Sequence, residues 1–150
     1  MTWIAQSTSD WTTWTPTLTA TGSNPSGFSA SGGTNVYQRL GDLVVVRYYL
    51  YTPSSGGNSV GTGEWRMSLP VQPKHSAGYV ACGNYYVYNA DSSAYAWYGN
   101  VALHSTSQSA STVAFVAPFS SGNSIYTLPI SFSYPSATFS LNGQLFYEAL

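Results

Sequence analysis

An all-β fold, an antiparallel β-sandwich of jelly-roll type, is what this chain predicts. Three observations lead there. Turn signals recur about every ten residues, the spacing of sandwich and jelly-roll strands. No window of twelve residues carries a convincing helical period. Ser, Thr and Gly make up 53 of 150 residues, and 13 Tyr and 5 Trp accompany them, a mixture suited to pleated strands joined by many turns.

The organising stretch is Val36–Val71. Leu43–Thr52 (LVVVRYYLYT) is the longest unbroken run of aliphatic, β-branched and aromatic residues, with Arg47 its one charge. It predicts a long strand, buried on one face. Tyr37–Leu40 precedes it across Gly41-Asp42, a Gly-X pair that suits a two-residue hairpin turn of type II′. Glu64–Leu69 follows a Gly/Ser/Asn loop and stops at Pro70, which has no N–H to donate. The expected core is two hairpins around the long strand.

The remaining elements follow in order. Residues 1–13 read as a linker or lead-in strand and 14–150 as one domain. Trp14–Thr19 alternates and predicts a strand, with Pro16 at an edge position. Gly22–Thr34 reads as a long loop. Gly78–Asn89 is a second long strand, with a bulge or bend expected at Gly83. After the Ala90–Ser93 turn, Ala94–Ser105 returns antiparallel with Gly99 at its middle. Ser111–Pro118 is another strand, Phe119–Thr127 a loop, and Leu128–Tyr134 a short strand between prolines. Thr138–Glu148 closes the chain, with Phe139, Leu141, Gly143, Leu145 and Tyr147 alternating against Ser140, Asn142 and Gln144.

Charge narrows the function classes. Charged residues are 6% of the chain and the net charge is −1, against roughly 25% charged in ordinary soluble domains. Arg39, Arg47, Arg66 and Lys74 are spread out, so no basic patch for nucleic acid or a membrane surface is expected. No run of 18 apolar residues occurs, and no membrane insertion is expected. Residues 1–13 lack a signal-peptide pattern. The single cysteine, Cys82, has no internal partner, which fits folding in a reducing compartment.

The motifs themselves carry a likeness. Trp14-Thr-Pro-Thr-Leu is followed by Tyr37-Gln-Arg-Leu-Gly-Asp and its hydrophobic strand. Then come Gly61-Thr-Gly, Ser68-Leu-Pro and a final strand ending Leu145-Phe-Tyr-Glu. Their order and spacing resemble the C-terminal domain of bacteriophage tail fibres and minor tail proteins over residues 14–148. That resemblance implies a virion tail-tip β-sandwich, made in the host cytoplasm. It also implies a homotrimer that contacts other phage tail proteins and the host cell surface. It supplies no fixed set of ligand residues.

The residues suit such an adhesin on their own chemistry. Carbohydrate recognition uses aromatic faces for sugar C–H groups and small polar groups for hydroxyls, and Tyr offers both. The stretch Tyr85–Asn100 concentrates them: Tyr85, Tyr86, Tyr88, Asn89, Asp91, Tyr95, Trp97, Tyr98 and Asn100. Within it Tyr88, Asn89, Asp91, Tyr95 and Trp97, in or flanking the turn, are the candidate carbohydrate-binding residues for a host cell-surface glycan. Packing in the core or at a subunit interface is the competing use of such aromatics.

Catalytic patterns are thin. Gly57-Asn58-Ser59-Val60-Gly61 matches G-x-S-x-G, but no helix pattern follows it. His75 and His104 are the possible bases, and nothing places either beside Ser59. Carboxylate pairs for glycoside hydrolysis would have to come from Asp10, Asp42, Glu64, Asp91 and Glu148. No metal-ligand spacing exists. The expectation is a non-catalytic protein without metal or cofactor. A structural trimer knob and a polysaccharide depolymerase are the alternatives.

Overall fold

The computed structural model describes residues 11–30, 35–51, 61–74, 78–89, 96–105, 112–117, 126–127 and 139–150. Ten strands run through them: β1 (Thr12–Thr13), β2 (Leu18–Ala20), β3 (Val36–Leu40), β4 (Leu43–Tyr51), β5 (Trp65–Ser68), β6 (Gly78–Asn89), β7 (Ala96–Ser105), β8 (Thr112–Ala117), β9 (Tyr126–Thr127) and β10 (Phe139–Glu148). They form one antiparallel sheet in the order β1-β3-β4-β10-β6-β7-β8-β5-β2, with β9 paired to β8. The sheet curls over its own apolar face like half a barrel. Among the described residues there is no helix, and so none long and apolar enough to cross a membrane.

β4 behaves as its sequence requires. Val44, Val46, Tyr48 and Leu50 are buried, while Leu43, Arg47 and Tyr49 are exposed, the period-two alternation of a strand with one covered face. The β3–β4 hairpin closes through Gly41-Asp42, with Leu40 opposite Leu43 and Gly41 at φ 63°. That positive φ is what a two-residue hairpin demands of its first turn residue.

The second expected hairpin does not form. β5 pairs with β8 and β2, and β10 takes the place beside β4. Length decides this. β4 offers nine residues, β5 has four, and β10 matches β4 over nine Cα pairs, Ser140↔Tyr51 to Glu148↔Leu43. On its other side β10 pairs with β6, so the last strand is inserted between two earlier ones.

Two further expectations change. The strand foreseen over Trp14–Thr19 forms only from Leu18, as Leu18–Ala20, which pairs with β5 at one edge of the sheet. Thr12–Thr13, in the lead-in stretch, pairs with β3 at the other. Tyr126–Thr127, expected as loop, adds β9 to β8. The expected strand at Leu128–Tyr134 lies outside the described residues.

β6 carries the bulge that Gly83 suggested. Ala81 pairs with Ala102 and Gly83 with Val101, leaving Cys82 as the extra residue. Cys82, Tyr85 and Val87 are all buried, although Cys82 and Tyr85 are three apart. Inserting one residue shifts the alternation and lets both halves of the strand face the core.

The core gathers Val44, Val46, Tyr48 and Leu50 with Leu141, Leu145, Tyr85, Val87, Val101, Val113, Trp65 and Met67. Phe28 meets the Trp65 ring edge-on at 5.5 Å.

Candidate functional site

The site is built from register. Four neighbouring strands, β4, β10, β6 and β7, align their residues in rows across the sheet. One row facing the core reads Tyr48, Gly143, Tyr85, Gly99. Large and bare positions alternate. The Tyr48 hydroxyl reaches past Gly143 and donates to the Asn84 carbonyl at 2.9 Å. A methyl group on Gly143 would lie 2.1 Å from that carbonyl oxygen and 2.5 Å from the Tyr48 hydroxyl. Only glycine allows this close approach. Gly143 and Gly99 also leave their backbone partly open to the opposite face.

The rows on either side point away from the core. One is Arg47, Gln144, Asn84, Asn100, and the other is Tyr49, Asn142, Tyr86, Tyr98. Together with the glycine backbone they line an open trough of about 830 Å³ on the outer face. Adjacent strands lie ~4.8 Å apart, so the walls on β4 and β6 stand ~9.6 Å apart at the backbone, with the polar residues of β10 as floor. Tyr51 extends the β4 wall, its ring tilted against Tyr49 at 6.1 Å. Tyr88 extends the β6 wall, stacked on Tyr86 at 6.5 Å. Tyr98 is 73% exposed. An aromatic ring this bare, set among other rings, marks a contact surface more than a packing residue.

The polar side chains are oriented. Asn84 Oδ1 accepts from the Gln144 backbone N–H at 3.3 Å. Arg47 lies under the Trp11 ring, 4.9 Å from its centroid. Among the described residues that line the trough, none is a carboxylate, histidine, serine or cysteine. Its described lining offers ring faces, amides and one guanidinium, groups suited to stacking and hydrogen bonding.

Of the residues singled out in the sequence, Tyr88 stands beside the trough on β6 and is exposed. Asn89 pairs with Phe139 at the end of β6. Trp97 pairs with Val87, in the row of Leu50 and Leu141 that alternates with the trough rows. Asp91 and Tyr95 lie outside the described residues. The trough therefore sits on the face of the strands, four or more residues below the expected Ala90–Ser93 turn. Tyr86, Tyr98 and Asn100 belong to the richer stretch noticed in the sequence. Arg47, Tyr49, Asn84, Asn142 and Gln144 were not singled out. Alternation along β10 put Asn142 and Gln144 on its polar face, but only the β4–β10–β6 pairing joins them to Arg47, Tyr49 and Asn84.

The other chemical candidates are scattered. Gly57–Val60 and His75 lie outside the described residues, and His104 pairs with Tyr79 on β7. Glu64 binds Arg66 at 3.0 Å. Asp42 and Glu148 are exposed near the β3–β4 turn, opposite the trough along β4. Cys82 is buried, and burial pushes its thiol up to about 12, which leaves little thiolate for chemistry. Among the described residues no group of three His, Cys, Asp or Glu could hold a metal ion. No family model, curated protein or solved structure matches this chain.

Proposed function

We propose that this chain is a non-catalytic tip domain of a phage tail that binds a host cell-surface glycan in the outer-face trough. The single observation that carries the reading is the trough's lining: tyrosine rings on β4, β6 and β7 around a floor of amides. Ring faces take the C–H side of a sugar and amides take its hydroxyls. The described lining holds no carboxylate pair, which favours a binding module over a depolymerase. The tail context rests on the motif resemblance of residues 14–148.

In this reading the curled sheet serves as a sandwich-like domain within a homotrimer. Exposed Leu40, Leu43, Phe146 and Leu150 give it apolar surface toward one end of β4 and β10, where subunit contacts would bury it. Host-cell binding by purified protein is the direct test. Tyr98→Ala and Tyr86→Ala are expected to weaken binding while leaving the melting temperature within a degree or two, because both rings are exposed. Stacking of about 1–2 kcal/mol per ring corresponds to roughly five- to thirtyfold per site. Parent-like binding by the double variant would remove the trough from the function. Full binding loss in a variant that no longer folds would count for nothing, so the melt accompanies each assay.

A further inference from the structure

The Arg47 end of the trough differs from the rest. Its row, Arg47, Gln144, Asn84, Asn100, contains no ring, whereas the next trough row holds three. The two rows lie two residues apart along each strand, or ~6.7 Å, about the length of one sugar ring and its substituent.

Donors prevail in the ringless row. The Asn84 amide oxygen is engaged by the Gln144 backbone N–H, so its Nδ2 group is the part of that amide left for a ligand. Arg47 Cζ lies 4.9 Å from the centroid of the Trp11 ring, a cation–π contact. The ring attracts the cation through its π face and offers no acceptor atom. Trp11 therefore fixes the cation without consuming a donor. Arg39 and Arg66 are committed elsewhere, Arg39 to the carbonyls of Gly41 and Leu150 and Arg66 to Glu64. Among the described residues Arg47 has no carboxylate partner, and none of those lining the trough is a carboxylate that would compete for it.

We propose that the trough selects a saccharide bearing an acidic substituent, a carboxylate or a phosphate, which binds Arg47 and the Asn84 amide while the sugar ring rests on the tyrosine row. This rests on the glycan reading above and narrows it from any glycan to an acidic one.

The test is an array of immobilised oligosaccharides in three classes: neutral, uronic-acid-containing and sugar-phosphate-containing. It is probed with the full chain and three variants. The parent is expected to prefer one acidic class over neutral analogues by roughly tenfold or more, since charge-assisted hydrogen bonds are about twice as strong as neutral ones. Which class is preferred tells carboxylate from phosphate. The preference should shrink as salt rises. Arg47→Gln should abolish the preference by weakening acidic-ligand binding far more than neutral binding, while Arg47→Lys keeps part of it. Asn84→Asp keeps an acceptor for the Gln144 N–H but turns the donor into an anion, so it should reject acidic ligands selectively. Equal binding of acidic and neutral sugars by the parent, or equal loss of both in Arg47→Gln, overturns the inference and leaves the glycan reading standing. No binding to any saccharide on the array overturns both.

Discussion

Gly143 is where one residue decides the site. Tyr48 and Tyr85 flank it on neighbouring strands, and the Tyr48 hydroxyl crosses it to the Asn84 carbonyl. An added methyl group would meet backbone at 2.1 Å, which a flexible side chain cannot relieve. Gly143→Ala is therefore expected to destabilise the fold by at least about 2 kcal/mol, in the range of overpacked cores. That corresponds to a fall in melting temperature of roughly 4–8 °C for a chain of this length. A thermal melt with an unchanged midpoint would refute the close-packed Tyr–Gly row. The same variant should also weaken glycan binding, because Asn84 and Gln144 are positioned by that crossing. The sequence already put Gly143 on the apolar side of the last strand. It did not show the tyrosines on either side, which come from residues 95 and 58 positions earlier.

At the scale of elements, the centre of the sheet is β4–β10–β6, and among the described residues four buried ionisable groups there are shifted by burial. Burial pushes the Tyr48 hydroxyl well above its ordinary 10.0, the Cys82 thiol from 9.0 up to about 12, and the Tyr85 hydroxyl from 10.0 up to about 12. Tyr147 is raised as well, by burial, against the opposing effect of its hydrogen bond to Val71. All four are neutral when protonated. In the unfolded chain the thiol ionises from about pH 9 and the phenols from about pH 10. The folded chain keeps those protons longer, so it binds more protons than the unfolded one, and stability falls as pH rises. The melting temperature should be insensitive to these groups below about pH 8.5 and fall steeply between about pH 9 and 12. Cys82→Ala should move the onset about one pH unit higher. A melting temperature that stays level to pH 11 would contradict the burial of these groups. The bulge that buries Cys82 was legible in Gly83 alone, because glycine within a long strand marks a bend or a close approach.

For the whole molecule, the first described residues hold the two edges of the sheet together. β1 ends at Thr13 on one edge and β2 begins at Leu18 on the other. Five Cα steps span at most ~18 Å, so the sheet has to curl until its edges come that close. The crossing is tied down on both sides: Trp14 N–H donates to the Asn35 carbonyl, and Thr17 and Ser68 exchange backbone and side-chain hydrogen bonds. Short edge strands limit pairing with other chains, and the exposed apolar end with Leu40, Leu43, Phe146 and Leu150 is the surface proposed for assembly. A light-scattering mass of three chains at micromolar concentration is the expected outcome, and a single-chain mass would sink the trimer. Three linked troughs would multiply weak sugar affinities by 10²–10⁴ on a dense glycan surface.

What the sequence determined by itself is local. Period-two alternation, turn pairs and glycines within strands set the antiparallel all-β class, the β3–β4 hairpin, the span of β6 and the polar face of β10, because each depends on neighbours a few residues away. The order of the strands was decided only by the tertiary structure. β10 lies between β4 and β6, pairing with β4 over nine positions and with β6 over seven while Leu141 and Leu145 face the core. That insertion brings Arg47, Asn84 and Gln144 into one row from three distant stretches. Each of those residues looks like an ordinary exposed polar side chain in the sequence, since a site assembled across strands leaves no spacing along the chain.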